Sequence, residues 1–530
     1  MAPITRSRAR KSLTQASLLV QKPNNKENHN KIITGKRAVG VGVPHVENNR
    51  RIIRKSSSLI PSYGGNVGDD VLAHIFTYLP TRILVQLSVM SKRFKNTWRY
   101  CRNLLFGNEF YRKLHNRTEF IDVVTRIMDN HIGENIDTLQ ILMDPTDKEH
   151  RLTHWIKIAL NKGVKVLDLD CDLSLNIFKF HHSLLDSETL RVLKLKYCKF
   201  SLPSRLRLRS AAGLGFITTL VLRKVVFCEF TVYRIMKHCV NLESLDMTDC
   251  SGPSVIRIMT HDDNFKFKSL KVGNSMDMFY IDVNCPNLES LHYSGSVLQG
   301  IRILMNNDPP TSKLKDVMLN FSTPRTGITP YYYVEKILHL NLYNVSTLTI
   351  TSTVMEGACA KMRNGSFGSL DFCLWHLKEL QVFMDYTTFC NAVDIADFVG
   401  KCPSLQKLFL DVNNFNLIPD LYYELHQKPF IESFSTIFEN LKVMKLKGFK
   451  FLNQEIDLVR MFLKRSPEME EMILVYPKNK DHMNMYIDPG NEVIFNRLFQ
   501  DWKCSPKIRI IAQENAKDKT ISPTHVRKWY

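Results

Sequence analysis

The stretch NCPNLESL, residues 284–291, decides the fold, because near copies of it recur as HCVNLESL at 238–245, KCPSLQKL at 401–408 and RSPEMEEM at 465–472. Each copy runs into a short alternating segment of the form L-x-x-L-x-L, which also occurs without the phrase. The segment starts at Val164, Leu190, Ile217, Leu242, Phe267, Leu288, Leu314, Val345, Leu377, Leu405, Leu441 and Met469, at spacings of 21 to 36 residues. Its last two apolar positions are two apart, so they point to one side of a strand and the residue between them points to the other. Ahead of the strand, apolar residues recur at helical spacing, as in Val232, Ile235, Met236 and Cys239 or Ile395, Phe398, Val399 and Cys402. In NCPNL and KCPSL the proline restricts its predecessor and cannot donate the next backbone bond, so helix stops and strand starts.

Self-similarity at this period is the signature of a leucine-rich repeat, each unit giving one parallel strand and a returning helix or irregular arc. The fold class is therefore α/β, a leucine-rich-repeat solenoid or horseshoe, assigned to residues 164–434. Counting the first apolar position as one, position nine holds Cys198, Cys250 and Asn413, read as inward groups that meet backbone of the turn. On a curved solenoid the residue between the two apolar positions, and the one two further on, line the concave face. Candidate target-binding residues there are Lys194, Lys196, Arg223, Asp246, Lys271, His292, Phe383 and Phe409. Charge alternates in sign along this face, so it demands neither a nucleic acid nor a uniformly acidic partner.

A chain of 530 residues exceeds what one compact core serves. No run of 18 apolar residues occurs and no apolar stretch follows the basic start, which argues against a membrane span or secretory signal and for the nucleus and/or cytoplasm. The twelve cysteines include no C-x-x-C pair and no histidine at finger spacing, so they are read as reduced thiols, with no metal and no cofactor expected. Of the formal +20, residues 1–62 carry thirteen Lys and Arg against two Glu, a net +11. This basic leader is poor in aromatics and is expected to be disordered. TRSRARK at 5–11 and RRIIRKSSS at 50–58 are candidates for nuclear import or nucleic-acid contact, against a plain solvated tail. No Walker loop, dinucleotide fingerprint, HExxH or G-x-S-x-G is present, so the chain is not read as an enzyme.

After the leader stands VGDDVLAHIFTYLPTRILVQLSVMSKRFKNTWRY, residues 67–100. Val71, Leu72, Ile75, Phe76 and Leu79 fall at helical spacing, Pro80 ends that helix, Ile83, Leu84, Leu87 and Val89 open a second, and Phe94 and Trp98 mark a third. Three short helices in about 35 residues make a small core, which leaves apolar surface for a partner. The segment resembles an F-box, specifically that of the plant family with leucine-rich repeats and a C-terminal FBD domain. Asp69, Asp70, Val71, Leu72, Ile75, Leu79, Pro80, Thr81, Val85, Ser88, Ser91, Lys92, Arg93 and Trp98 match the family pattern. The usual opening Leu-Pro is Val67-Gly68 here, and the usual first aromatic of the third helix is Phe94; Gly68 forgoes the preset backbone that proline gives a helix start.

The resemblance implies domains at 63–105 (F-box), 106–163 (helical linker), 435–512 (FBD-like repeats) and 513–530 (tail). FENLKVMKLKGFKFLNQEIDLVRMFLKRSPEMEEMILVYP at 438–477 carries the FBD likeness, with Asn453 expected to cap its helix. It further implies a non-catalytic substrate-recognition subunit of an SCF-type cullin ubiquitin ligase. A Skp-type adaptor, and through it cullin, would dock on Val67, Gly68, Asp69, Val71, Leu72, Ile75, Leu79, Pro80, Val85, Ser91, Lys92 and Trp98. Two other readings are open: a small-molecule-sensing F-box receptor, which requires a closed pocket lined from several repeats, and a ubiquitin-independent nuclear binding protein that uses the basic leader.

Overall fold

In the computed structural model the described residues are 68–525, apart from 80, 91–93, 95, 115, 203–211, 228–229, 253, 260–264, 276–277, 297, 299, 304–312, 323–341, 356–372, 386–389, 416–422 and 479–496. The leader, which carries both basic motifs, lies outside them. Among the described residues the repeats make one sheet of fifteen strands that follow one another in chain order. They are Asn103–Phe106 (β1), Thr138–Leu142 (β2), Val166–Asp170 (β3), Val192–Lys196 (β4), Thr219–Arg223 (β5), Ser244–Thr248 (β6), Ser269–Ser275 (β7), Ser290–Ser296 (β8), Asp316–Ser322 (β9), Thr347–Thr351 (β10), Glu379–Asp385 (β11), Lys407–Asn414 (β12), Val443–Lys447 (β13), Glu471–Tyr476 (β14) and Arg509–Glu514 (β15). Every pairing is parallel.

The repeating phrase supplies this sheet's core. The first apolar residue of all twelve units, from Val164 to Met469, is buried, as are the alternating pairs Leu193 and Leu195, Leu245 and Met247, and Leu408 and Leu410. Each such side chain contributes about 1.5–3 kcal/mol by leaving water, so the stack is held chiefly by this ladder. Three strands lie beyond the twelve units. The stretch 106–163, expected to be helical, does carry helices at Arg117–Asp129 and Glu149–Asn161, but β2 runs between them with Ile136, Leu139 and Ile141 buried at the repeat positions.

Five of the units turn after their strand at position eight, in left-handed backbone. Tyr197, Lys224, Asp249 and Asn274 there have φ of 56°, 50°, 55° and 51°, and Gly448 has 88°. That left-handed residue brings position nine inward: Cys198 Sγ donates to the Lys196 carbonyl at 3.3 Å and Cys250 Sγ to that of Leu222 at 3.3 Å. Burial pushes the Cys250 thiol up to about 12, so it is a structural group. Asn413 instead donates to the Asp411 carboxylate at 2.7 Å.

The return path is helical at Phe230–His238, Ala392–Gly400 and Asn453–Arg465, and among the other described stretches some pair into short parallel sheets, such as Phe178–His181 with Cys198–Ser201. Asn453 is the first residue of its helix rather than the cap. The unpaired N–H groups ahead of it, on Lys450 and Leu452, are taken by the Glu455 carboxylate at 2.7 and 3.3 Å.

Candidate functional site

Helices Asp69–Thr77 (α1) and Thr81–Met90 (α2) and the turn Thr97–Tyr100 lie at the N-terminal end of the sheet. Phe76 and Leu84 are buried, and Phe76 meets Phe94 edge to face with centroids 5.4 Å apart. Thr81, also buried, joins this unit to the sheet: its hydroxyl donates to the Asn103 carbonyl at 2.9 Å and accepts from Leu105 N–H at 3.2 Å, while Asn103 Nδ2 donates to the Thr77 carbonyl at 3.0 Å. The opposite side is apolar and bare. Val71, Ile75 and Tyr78, at helical positions i, i+4 and i+7, are 53%, 48% and 73% exposed, and Ile83 is 40% exposed. An apolar stripe of this kind is the helix face a partner covers.

The second surface is the open face of the sheet, where the register aligns Asp168, Lys194, Val221, Asp246, Lys271, His292, Met318, Thr349, Gln381, Phe409, Lys445 and Ile473 in one row. Its first half is charged and paired. Lys196 lies 3.0 Å from both Asp170 and Asp172, Lys224 lies 3.0 Å from Asp172, and Lys271 lies 3.5 Å from Asp246. Burial would push the Asp172 carboxyl up, but hydrogen bonds from Lys196 and Lys224 outweigh it and hold it below its ordinary value. Asp168 goes the other way, raised by burial against the pull of Lys194. Arg223 is exposed and makes no ion pair among the described residues, so it offers a cation to a pocket of about 360 Å³ that also borders Asp168, Lys194 and Lys196.

The second half of the row is covered by the chain's own C-terminal segment. After β15 it runs back across β13 to β8. Lys445 Nζ meets the Asp518 carboxylate at 2.6 Å and the Ile521 carbonyl at 3.0 Å, Thr524 N–H donates to Glu379 at 2.6 Å, and His525 reaches Thr349 and Asp316. Burial raises the Asp518 carboxyl, but Lys445 and Thr520 prevail and hold it below its ordinary value. Phe409 is left 4% exposed, beside a cavity of about 130 Å³ lined by Gln381, Lys447 and Pro523 among others.

An F-box domain matches residues 66–106, and the leucine-rich-repeat domain described as At1g61320/AtMIF1 matches residues 127–493. The FBD-associated F-box proteins At1g61330 and At1g61320 of Arabidopsis thaliana are each 29% identical to this chain, over 78% and 82% of it and 91% and 94% of their own lengths. The chain is a plant F-box/FBD/LRR protein. A shorter match, 28% identical over 37% of this chain and 44% of the relative, is to the Arabidopsis F-box/FBD/LRR-repeat protein At3g52680.

Within this F-box the structure sorts the sequence candidates. Val71 and Ile75 stand on the bare face, whereas Leu72, Leu79 and Trp98 are half-buried against the domain's own core. Asp69 and Val85 lie in α1 and α2, and Val67, Pro80, Ser91 and Lys92 fall outside the described residues. Gly68 precedes α1 with φ −55° and ψ 147°, and a Cβ there would meet nothing within 4 Å. That φ suits proline, so Gly68→Pro is expected to stabilise the F-box by about 0.4–1 kcal/mol; thermal unfolding of the two proteins checks it. Tyr78 escaped the sequence reading, although its spacing from Val71 and Ile75 marks the same stripe.

Of the concave-face candidates, Lys194, Lys196, Arg223, Asp246 and Lys271 share the uncovered half. Phe409 and His292 do not line an open surface as expected, because the C-terminal segment lies on Phe409 and sets His525 edge to face against His292; Phe383 borders the cavity beneath that segment. Asp316, Glu379 and His525, none of them a sequence candidate, make the contacts that hold it. Among the described residues no helix is long and apolar enough to cross a membrane.

Proposed function

We propose that the chain is the substrate-recognition subunit of an SCF-type cullin ubiquitin ligase, with a Skp-type adaptor on the stripe Val71, Ile75, Tyr78 and Ile83 and the target on the open face. The observation that carries this reading is the stripe itself, four large apolar side chains left bare on an F-box whose other side is fastened to the first repeat. Covering the half or so of each that is still exposed would supply about 0.7–2 kcal/mol apiece before the costs of association. The rigid join holds the target face at a set distance from the adaptor, as proximity transfer requires. The receptor itself then needs no nucleophile.

The target reads the uncovered half. Lys194, Lys196 and Lys271 lie beside carboxylates, so Arg223 is the cation best placed for an acidic or phosphorylated group, and the work is done in the nucleus and/or cytoplasm. A small-molecule reading is less favoured, since the cavity under the tail, about 130 Å³, is below the roughly 300 Å³ of a typical ligand site, and the pocket of about 360 Å³ beside Arg223 is lined by charged side chains where such sites are mostly apolar. Affinity capture with quantitative mass spectrometry tests the reading. The Val71→Glu and Tyr78→Glu double variant is expected to lose adaptor and cullin but keep the target. Arg223→Glu is expected to keep the adaptor and lose the target by about tenfold or more, as for one interfacial charge-assisted contact. Co-loss of everything in both variants, or of nothing, would count against it.

A further inference from the structure

Where the C-terminal segment ends, β8, β9 and the tail bring together His292, Asp316 and His525, with their ligand atoms within 4.8 Å of one another. His292 Nε2 lies 2.9 Å from Asp316 Oδ2, and His525 Nε2 lies 2.8 Å from Asp316 Oδ1. The other nitrogen of His525 decides what this contact is. Nδ1 is 2.7 Å from Thr349 Oγ1, and that hydroxyl is placed to donate to Gln381 Oε1 at 3.2 Å. A hydroxyl whose proton goes to Gln381 can only accept from His525, so Nδ1 carries a proton and Nε2 is the nitrogen turned toward Asp316.

That nitrogen faces Oδ1 of the Asp316 carboxylate. His525 Nε2 and Asp316 Oδ1 are both buried without a hydrogen-bond partner, and the His525 side chain is only 7% exposed. Two buried polar atoms this close, with no hydrogen bond formed between them, need a positive charge to join them, either a proton on Nε2 or a metal ion.

We propose that His292, Asp316 and His525 bind a divalent transition-metal ion of the zinc class, which clips the C-terminal segment onto the open face. Two imidazoles and one carboxylate are a zinc donor set, and three protein ligands leave a fourth position for water. Thr349, backed by Gln381, fixes the tautomer of His525 as an outer partner of a metal-bound histidine does. Zinc bonds of about 2.0–2.2 Å set tetrahedral ligands about 3.3 Å apart, so the two contacts open by about half an ångström to admit the ion. No cysteine or histidine at short spacing announces this metal, because its ligands come from two repeats and the far tail. Ion binding stands apart from the receptor reading; its consequence, that the ion governs how much of the target face is open, rests on that reading.

The test uses the full chain, with cobalt(II) as a spectroscopic probe and zinc for hydrogen exchange. One cobalt ion per chain is expected, with the weak visible bands of nitrogen and oxygen ligands and no thiolate charge-transfer band. His525→Ala, a tail change that leaves the sheet's core untouched, is expected to weaken binding by about 100-fold, and His292→Ala likewise. Zinc is expected to slow exchange of the amides of residues 518–525 at least about tenfold, reversibly with a chelator. Cobalt binding unchanged in His525→Ala overturns the proposal. So does tail protection indifferent to zinc and lost as pH rises, the mark of an imidazolium paired with Asp316. Adaptor capture is read separately, so failure here leaves the receptor reading standing and the converse also holds.

Discussion

Ile75→Arg is expected to lower the affinity of the chain for a Skp-type adaptor by about 30- to 1,000-fold while its thermal unfolding is unchanged. Ile75 is 48% exposed between Val71 and Tyr78 on α1, so in the free chain an arginine there faces water and alters stability by no more than about 0.5 kcal/mol. In the proposed complex the same position is the middle of the covered stripe, where a guanidinium would be desolvated with no carboxylate built to receive it. Central residues of such interfaces carry about 2–4 kcal/mol, which sets the fold-change. Val240→Arg is the control: Val240 is 55% exposed but lies among the repeats, away from the F-box, and its replacement is expected to leave adaptor affinity intact.

The second large effect falls on the scaffold. Gly252 has φ of 120°, and a Cβ there would lie 1.7 Å from the backbone oxygen of Phe227 in the preceding unit. The turn passes this close because Ser251 N–H donates to the Val225 carbonyl and Phe227 N–H to that of Ser251, each at 3.1 Å. Gly252→Ala must therefore break that join or shift both units, at a cost of about 3–5 kcal/mol from the clash and the strained backbone together. Repeat arrays distribute stability between neighbouring units, so the loss is expected as faster amide exchange centred on residues 217–259, and as a lower urea midpoint. Gly68→Ala, with open space around its added methyl, is expected to show neither.

What the sequence disclosed about this fold it disclosed locally. Pairs such as Leu193 and Leu195, two apart in a strand, and runs such as Ile395, Phe398 and Val399, on one helical face, are short-range patterns that burial alone writes into the chain. Ile136, Leu139 and Ile141 obey the same rule, but they stand between two strongly amphipathic helices, and the helical period masked the strand. In the last unit Lys507 stands where the first apolar residue belongs, so β15 broke the pattern that would have announced it. The docking of the C-terminal segment has no local signature. His525 touches Thr349 and Lys445 holds Asp518 through contacts that join distant parts of the chain, and nothing within a few residues of either encodes them. The site followed the same division: Val71 and Ile75 of the α1 stripe were legible from their spacing, while Tyr78 and the covering of Phe409 were not.

The bare stripe on the F-box is proposed above as an adaptor surface. Its most direct test is titration of the purified full chain with a purified Skp-type adaptor, by calorimetry and by light scattering after size exclusion. The expected result is a complex of one chain with one adaptor, of about micromolar affinity or tighter, that Ile75→Arg abolishes. A folded chain that forms no complex, or a complex indifferent to Ile75→Arg, would contradict it.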